Sequence, residues 1–281
     1  MERVRSAAVA GSFYPAEAGE LKRLIEECFL SSPLGPQVAH TPSPALLGGI
    51  VPHAGYVYSG PCAAHLYARL ETDIRLVILL GVNHRGRGAR AALSGAEFWE
   101  TPLGRVGIDQ DVGERLLSEI DFLTEDDRPH LEEHSIEVQL PFLQRTLGEF
   151  SLLPISISHL TLEECRRLGA AMARVYEAEK ASGEKILLFA SSDLSHYRSP
   201  KETERLDGMA LEKVLALDPA GLLETVEEND ISMCGAIPTA VFLFAANALG
   251  AKQAQLLNHC HSGDAMPMRE VVGYASVAVE F

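Results

Sequence analysis

Five short apolar runs, separated by segments of a different character, constrain the fold of this chain more than any other feature. Each run has the length and composition of a strand that is buried on both faces of a sheet. Helix-like segments lie between them, and 135–147 is the clearest, because its apolar residues repeat at helical spacing. Strands that alternate with helices predict an α/β fold, with a central, mostly parallel sheet and helices on both faces. The five runs are 46–51, 76–82, 152–157, 185–190 and 271–279.

Further elements follow from the same kinds of pattern. Residues 98–109, FWETPLGRVGID, predict a hairpin with Pro-Leu-Gly at its turn. Residues 31–45 are rich in proline and serine and predict a surface loop, because the segment before them is too short to be a domain. Residues 236–249 are apolar nearly all round, which predicts a buried helix. The other expected helices are 21–29, 162–178 and 202–216.

Length and composition favour one domain over residues 1–281. Of the 281 residues, 47% are hydrophobic and 22% are charged, as in ordinary globular proteins. A chain of this length buries a large core, so its folding needs no disulfide or metal. No run approaches the roughly 20 apolar residues of a transmembrane helix, and the N-terminus has no apolar secretory segment. We therefore expect a cytoplasmic protein.

Charge and cysteine content argue against several classes of function. Lys and Arg number 24 against 39 Asp and Glu, which gives a formal charge of −15. Surfaces that bind nucleic acid or anionic membranes need basic patches, so neither partner is expected. The five cysteines are irregularly spaced and include no CxxC pair, which argues against a disulfide framework or a zinc ribbon. We expect all five to be reduced thiols.

Three of the strand-like runs end in residues that are suited to chemistry. One run leads into His53, a second into His84, and a third into Asp193 and His196. In open α/β sheets, ligands bind just beyond the carboxyl ends of the strands. One histidine in such a place is usually structural, but three such endings predict a shared site. The structural alternatives are loop roles for the histidines and a helix-capping role for Asp193.

Three further residues are candidates with two interpretations each. His134, in RPHLEEHSIEVQLPFL, either helps to open the helix at 135 or lies at the rim of the same cleft. Cys234 precedes a predicted helix N-terminus, which favours the thiolate, although a lone cysteine is usually a small buried hydrophobe. Asp264, in HCHSGDAMP, either lines a pocket or belongs to an ordinary turn.

Eight motifs, spread in order over nearly the whole chain, resemble the Memo family. That family is similar in fold to the class III extradiol dioxygenases, which are non-haem iron enzymes that cleave catechol rings. The resemblance also implies a functional link to radical-SAM and AMME-domain proteins. The motifs are AVAGSFYP (8–15), VPHAGYVYSG (51–60), LLGVNHRG (79–86), EEHSIEVQLPFL (132–143), SSDLSHY (191–197), CGAIPTA (234–240), HSGDAMP (261–267) and VVGYASVAV (271–279).

The resemblance implies a metal site and assigns residues to it. His53 and His84 match the two metal-site histidines of the family, and Cys234 matches the third metal-site residue. Asp193 and His196 match polar residues of the same cleft, and His196 falls where the dioxygenases keep an acid/base histidine. The dioxygenases complete their site with a carboxylate, whereas this pattern has cysteine. Two imidazoles and a thiolate suit Fe(II) or Cu, and also Zn, so the fold alone does not imply ring cleavage.

Three functions fit these residues. The first is a metal-dependent oxidoreductase, in which His53, His84 and Cys234 hold the metal. In that enzyme His196, oriented by Asp193, moves protons for a small-molecule substrate. The second is a non-enzymatic scaffold that reuses the cleft to bind a peptide or a metal. The third is a Cys–His hydrolase with Cys234 as its nucleophile.

Overall fold

Within residues 2–281, the part of the chain that this computed structural model describes, twelve strands form one mixed sheet. Met1, which the expected domain of residues 1–281 includes, lies outside the described residues. The strands are β1 Val4–Arg5, β2 Leu46–Val51, β3 Leu76–Val82, β4 Ala91–Leu93, β5 Phe98–Thr101, β6 Gly104–Ile108, β7 Thr124–Glu125, β8 Ser151–Ile157, β9 Ile186–Ser191, β10 His196–Arg198, β11 Gln253–His261 and β12 Val271–Glu280. The helices are α1 Ala18–Leu30, α2 Tyr56–Tyr67, α3 Gln110–Glu119, α4 Leu140–Leu147, α5 Leu162–Ala181, α6 Pro200–Leu215, α7 Pro219–Glu228, α8 Ala236–Ala248 and α9 Ser262–Ala265.

The centre of the sheet is parallel, which confirms the predicted α/β architecture. Strands β8, β3, β9 and β2 lie side by side in the same direction, and β6 continues this group beyond β8. Strand β12 pairs antiparallel with β2, and β11 pairs antiparallel with β12. The carboxyl ends of β2, β3 and β9 therefore lie at one edge of the sheet. The segments that follow these three strands carry His53, His84 and Asp193.

Alternate residues of the central strands face two hydrophobic cores. In β3, Leu76, Ile78 and Leu80 belong to one core, whereas Val77 and Leu79 belong to the other. A sheet with helices on both faces requires this alternation. Helices α3, α5, α6, α7 and α8 cover the first face, and α1, α2 and α4 cover the second. No helix within residues 2–281 combines the length and the apolar character that crossing a bilayer requires.

The predicted helix at 135–147 is wrong in its first part. Residues Glu137–Gln139 form a short 3-10 turn, and the regular helix α4 begins only at Leu140. The cause is Ser135, whose hydroxyl donates to the carbonyl of Val82 and accepts from its N–H, both at 2.9 Å. These two bonds hold the segment before α4 against the end of β3 as a loop.

Candidate metal centre

Three histidines meet beyond the carboxyl ends of β2 and β3. His53 follows β2, His84 follows β3, and His134 lies in the loop before α4. One ring nitrogen of each lies within 4.8 Å of those of the other two. The rings of His84 and His134 are stacked with their centroids 4.7 Å apart, and the ring of His53 stands edge-on to them at 5.1 and 5.3 Å. Three imidazoles at these separations can bind one metal ion.

Hydrogen bonds at Nδ1 determine which nitrogen of His53 faces the other two rings. Its Nδ1 lies 2.9 Å from the hydroxyl of Ser191. That hydroxyl already donates its proton to the carbonyl of Ser135 at 2.6 Å, so it accepts from His53. His53 Nδ1 therefore carries the proton, and Nε2 keeps the lone pair that a metal needs. Burial lowers the pKa of His53, which keeps the ring in this neutral, metal-binding form.

Glu133 is a buried carboxylate that holds the other two histidines. Its Oε1 lies 2.9 Å from Nδ1 of His84 and 3.2 Å from Nδ1 of His134. The same oxygen accepts from the N–H groups of His134 and Ser135, and Oε2 accepts from the N–H of His84 at 2.8 Å. Burial alone would raise the pKa of Glu133, but the hydrogen bond and charge of His84, the charge of His134 and a backbone donor lower it to about 2. The carboxylate stays charged at neutral pH and leaves Nε2 of both rings for a ligand.

His134 reaches the cluster because its loop docks closely on β3. A Cβ added at Gly81 would lie 2.4 Å from Cγ1 of Ile136 and 2.8 Å from the hydroxyl of Ser135. Only glycine permits this approach. Burial lowers the pKa of His134 to about 4, so its ring is also neutral at pH 7. The sequence left two interpretations of His134 open, a role in opening the helix at 135 or a place at the rim of the cleft, and the structure places it among the three clustered rings.

A buried ion pair joins the N-terminal segment to the same loop. Nη1 of Arg5 lies 2.5 Å from Oε2 of Glu137, and both side chains are almost completely buried. Arg5 also donates to the backbone carbonyls of His130 and Glu133 at 2.8 and 2.7 Å. The hydroxyl of Tyr14 donates to Oε1 of Glu137 at 2.6 Å. These contacts attach the loop to the N-terminal segment.

Cys234 contacts one of the three histidines. Its Sγ is 3.2 Å from Nε2 of His53 and 3.7 Å from the carbonyl oxygen of Asp193. The expectation that the helix N-terminus activates this thiol is wrong. Burial raises the pKa of the Cys234 thiol well above its ordinary range, and the negative charge of Asp193 raises it further. The hydrogen bonds that lower this pKa, among them one to the backbone of Gly235 just before α8, do not offset these effects.

Asp193 and His196 lie at the same edge of the sheet, but the expected hydrogen bond between them is wrong. Oδ1 of Asp193 accepts from the backbone N–H of His53 at 2.7 Å, so it holds the loop that carries His53. Nδ1 of His196 lies 2.8 Å from the carbonyl oxygen of Ser232 and must donate to it, which leaves Nε2 free to accept a proton. Burial raises the pKa of Asp193 to about 6, despite the backbone donor and nearby histidines.

Asp264 is a turn residue in the structure. It lies on α9, where its Oδ2 accepts from the backbone N–H of His261 at 2.8 Å and lies 3.2 Å from Nδ1 of the same residue. The backbone contact belongs to the cap of the four-residue helix Ser262–Ala265. The structure therefore favours the turn over the pocket role.

Glu133 and Ser191 contact the histidines but were not predicted from the sequence to do so. The pair Glu132-Glu133 beside His134 was a signal, because ligand histidines commonly contact a carboxylate through their second nitrogen. Which glutamate turns inward depends on the fold. Glu132 is half exposed and binds Arg87 at 2.8 Å, whereas Glu133 is 4% exposed.

Comparisons with known proteins agree with the sequence motifs. The family pattern described as Memo-like protein matches residues 5–278. A MEMO1 family protein of Ignicoccus hospitalis is 44% identical and one of Pyrobaculum aerophilum is 42% identical, each over 98% of both chains. An uncharacterized protein of Escherichia coli K12, with 12% identity and a TM-score of 0.51 over 74% of this chain and 87% of that one, shares the fold. The match over nearly the whole length, with relatives above 40% identity, shows that this chain belongs to the Memo family.

Proposed function

We propose that this protein binds a redox-active transition metal, Fe or Cu, in the histidine cluster and acts as an oxidoreductase on a small molecule. The observation that supports it most strongly is the arrangement of His53, His84 and His134, whose ligand nitrogens lie within 4.8 Å of one another. Nδ1 of His53 and of His84 each has a hydrogen-bonding partner, and Nδ1 of His134 lies 3.2 Å from the carboxylate of Glu133, so the rings are oriented before any ligand arrives. The buried charge of Glu133 offsets part of the charge of a bound cation.

The third ligand distinguishes this proposal from the set that the resemblance implies. The resemblance gives Cys234, whereas the geometry favours His134, with Cys234 as a further ligand. The 3.2 Å between Cys234 Sγ and His53 Nε2 suits two ligands of one metal, each about 2.0–2.3 Å from it. Imidazoles together with one thiolate suit copper, iron and zinc, so the donors fit the proposed metals.

A bound metal would supply Lewis acidity and a change of oxidation state. The residues of the chain do the rest. Ser191 and Glu133 orient the imidazoles, and Asp193 holds the loop that carries His53. His196 accepts a proton at Nε2 from a substrate in the cleft, because its Nδ1 is already committed to Ser232.

Metal analysis tests the site directly. We expect protein purified without added metal to contain close to one transition-metal ion per chain by elemental analysis. His134→Ala should lower the affinity for every metal. Cys234→Ser should lower the affinity for Cu(I) and Zn(II) more than for Fe(II), because thiolate is a soft ligand. The exposed His159 provides a control, and His159→Ala should bind as the wild type does. Equal affinities in all four proteins would contradict the site.

Oxygen consumption tests the activity separately from metal binding. The reconstituted protein should consume O₂ with at least one member of a catechol panel, and the apoprotein should not. Tight metal binding without any turnover would instead favour the scaffold that binds a peptide or a metal. That result would support the metal site and contradict only the oxidoreductase proposal.

The contact between Cys234 and His53 also supports a second candidate, a Cys–His hydrolase. A thiol 3.2 Å from an imidazole nitrogen has the geometry of a nucleophile and its base. Iodoacetamide labelling distinguishes the two roles. Metal that protects Cys234 from labelling would favour a ligand, whereas rapid labelling with metal present, together with ester hydrolysis, would favour the nucleophile.

The remaining predictions concern partners and location. The negative charge predicts no binding to DNA or to anionic vesicles, which gel-shift and flotation assays would check. A functional link to radical-SAM and AMME-domain proteins and a cytoplasmic location stay predictions that follow from the resemblance and the sequence. Binding assays with purified partner proteins would test the link.

A further inference from the structure

We propose that Cys62 and Cys260 are a peroxide-responsive pair, which forms a disulfide and so links α2 covalently to β11. All five cysteines are free thiols in the structure. Cys62 and Cys260 are about 200 residues apart in sequence, yet with Tyr274 they form a small buried cluster of their own. This inference is independent of the proposed function, because neither cysteine belongs to the histidine cluster.

The contacts of Cys62 locate its thiol over the β11–β12 pair. Sγ of Cys62 is 3.8 Å from the hydroxyl of Ser276 and 4.0 Å from the carbonyl oxygen of Asn258. Ser276 and Asn258 are partners in the strand register, and Tyr274 and Cys260 are partners two residues further along. Residues two apart in a strand point to the same face. Cys260 therefore points towards α2 beside Asn258, within the same buried cluster as Cys62.

The other cysteines lie elsewhere in the fold. Cys28 belongs to the core on one face of the sheet and Cys165 to the core on the opposite face, so the sheet separates them. Cys234 lies beside His53. Cys28 and Cys165 are therefore buried single thiols that serve as internal controls for the pair.

Oxidation begins at Cys260, because it is 8% exposed whereas Cys62 is fully buried. The Cys260 thiolate attacks one oxygen of hydrogen peroxide, the O–O bond breaks, and water leaves after protonation, which gives a sulfenic acid. The sulfur of Cys62 then attacks the sulfenic sulfur, its proton leaves with the hydroxyl as a second water, and the S–S bond forms. Two thiols and one peroxide give one disulfide and two waters, so two electrons pass from sulfur to oxygen.

Closure of this pair should stabilise the folded chain. A disulfide restricts the unfolded chain more when it encloses a longer loop, and this one encloses about 200 residues. We expect the apparent Tm to rise by roughly 10 °C after oxidation. Burial raises the pKa of the Cys62 thiol, so exchange with small thiols in solution should be slow.

Mass spectrometry after peroxide treatment tests the proposal. The full-length protein is treated with hydrogen peroxide, denatured, alkylated with iodoacetamide and digested. We expect a linked peptide pair that contains Cys62 and Cys260, its loss on treatment with dithiothreitol, and the rise in Tm. Cys62→Ser and Cys260→Ser should lose the link and the shift in Tm, whereas Cys165→Ser should keep both.

The wild-type peptide map alone is decisive if a serine variant fails to fold. Alkylation of both Cys62 and Cys260 after peroxide treatment would overturn the proposal. A disulfide that joins Cys234 to either of them would overturn it too. A linked pair without any rise in Tm would show that the bond distorts the fold. The proposal that this disulfide stabilises the folded chain would then be wrong.

Discussion

Replacing Glu133 with glutamine removes the negative charge that holds two of the three clustered histidines. The change is nearly isosteric, so it alters hydrogen bonding and charge without leaving a cavity. The carboxylate accepts from the N–H groups of His84, His134 and Ser135 and contacts Nδ1 of both rings. Either orientation of a glutamine amide would direct an NH₂ group at one of these donors.

The size of the effect follows from these contacts. Loss of an acceptor behind a ligand histidine typically lowers metal affinity about 10–100-fold, which is about 1.4–2.8 kcal/mol. A buried donor without an acceptor costs about 1–3 kcal/mol of folding stability. Both effects should appear together, because the same oxygen supports the rings and the loop.

Competition with a chromophoric chelator, using Zn(II) and Fe(II), measures the affinity, and urea unfolding of the apoprotein measures stability. Glu132→Gln is the matched control, because Glu132 is its half-exposed neighbour and its ion pairs with Arg85 and Arg87 are worth at most about 1 kcal/mol. The control should keep wild-type affinity. If Glu133→Gln bound metal as tightly as the control while His84→Ala lost binding, Glu133 would not orient the ligands.

Three further substitutions test the surroundings of the site. Arg5→Met should cost about 3–5 kcal/mol in urea unfolding, because it leaves the carboxylate of Glu137 buried without its cation; a loss below about 1 kcal/mol would contradict this. Burial lowers the pKa of His130 to about 4, so the unfolded chain binds its proton first as pH falls from about 6.5. Stability should therefore be lost between about pH 6.5 and 4, by up to about 3 kcal/mol, and His130→Leu should remove that part of the loss in pH-dependent urea titrations. Gly81→Ala should cost about 1–3 kcal/mol and weaken metal binding, because its methyl group would press on Ile136; unchanged thermal unfolding and affinity would refute the close approach.

The central sheet could be predicted because its strands are buried on both faces. All seven residues of β3 are buried, so the strand is a continuous apolar run in the sequence. Helix α2 was not predicted, since it contains Gly60 and Pro61 and is buried on most sides, which removes the amphipathic pattern. Strand β11 was missed for the opposite reason, because it is mostly part-exposed and carries polar residues throughout.

The site was predictable to the extent that it follows strand ends. His53 and His84 come directly after buried strands, so the sheet alone brings them near each other. His134 lies on a loop whose position depends on Gly81, Ser135 and the distant Arg5, and no local pattern shows those contacts. For Cys234 the local pattern indicated an activated thiol, but the depth of burial, which only the fold determines, has the larger effect.

The parallel arrangement of β3, β8 and β9 also has a practical use in attaching the protein to a surface or a fluorophore. Their amino ends lie opposite the histidines, and a strand of seven residues such as β3 separates the two edges by about 20–25 Å. Glu149 and Ser182 are exposed just before β8 and β9. Cysteine substitutions at these two positions would carry thiol-reactive tethers and leave the cleft facing the solution. The native thiols would first have to be replaced or blocked.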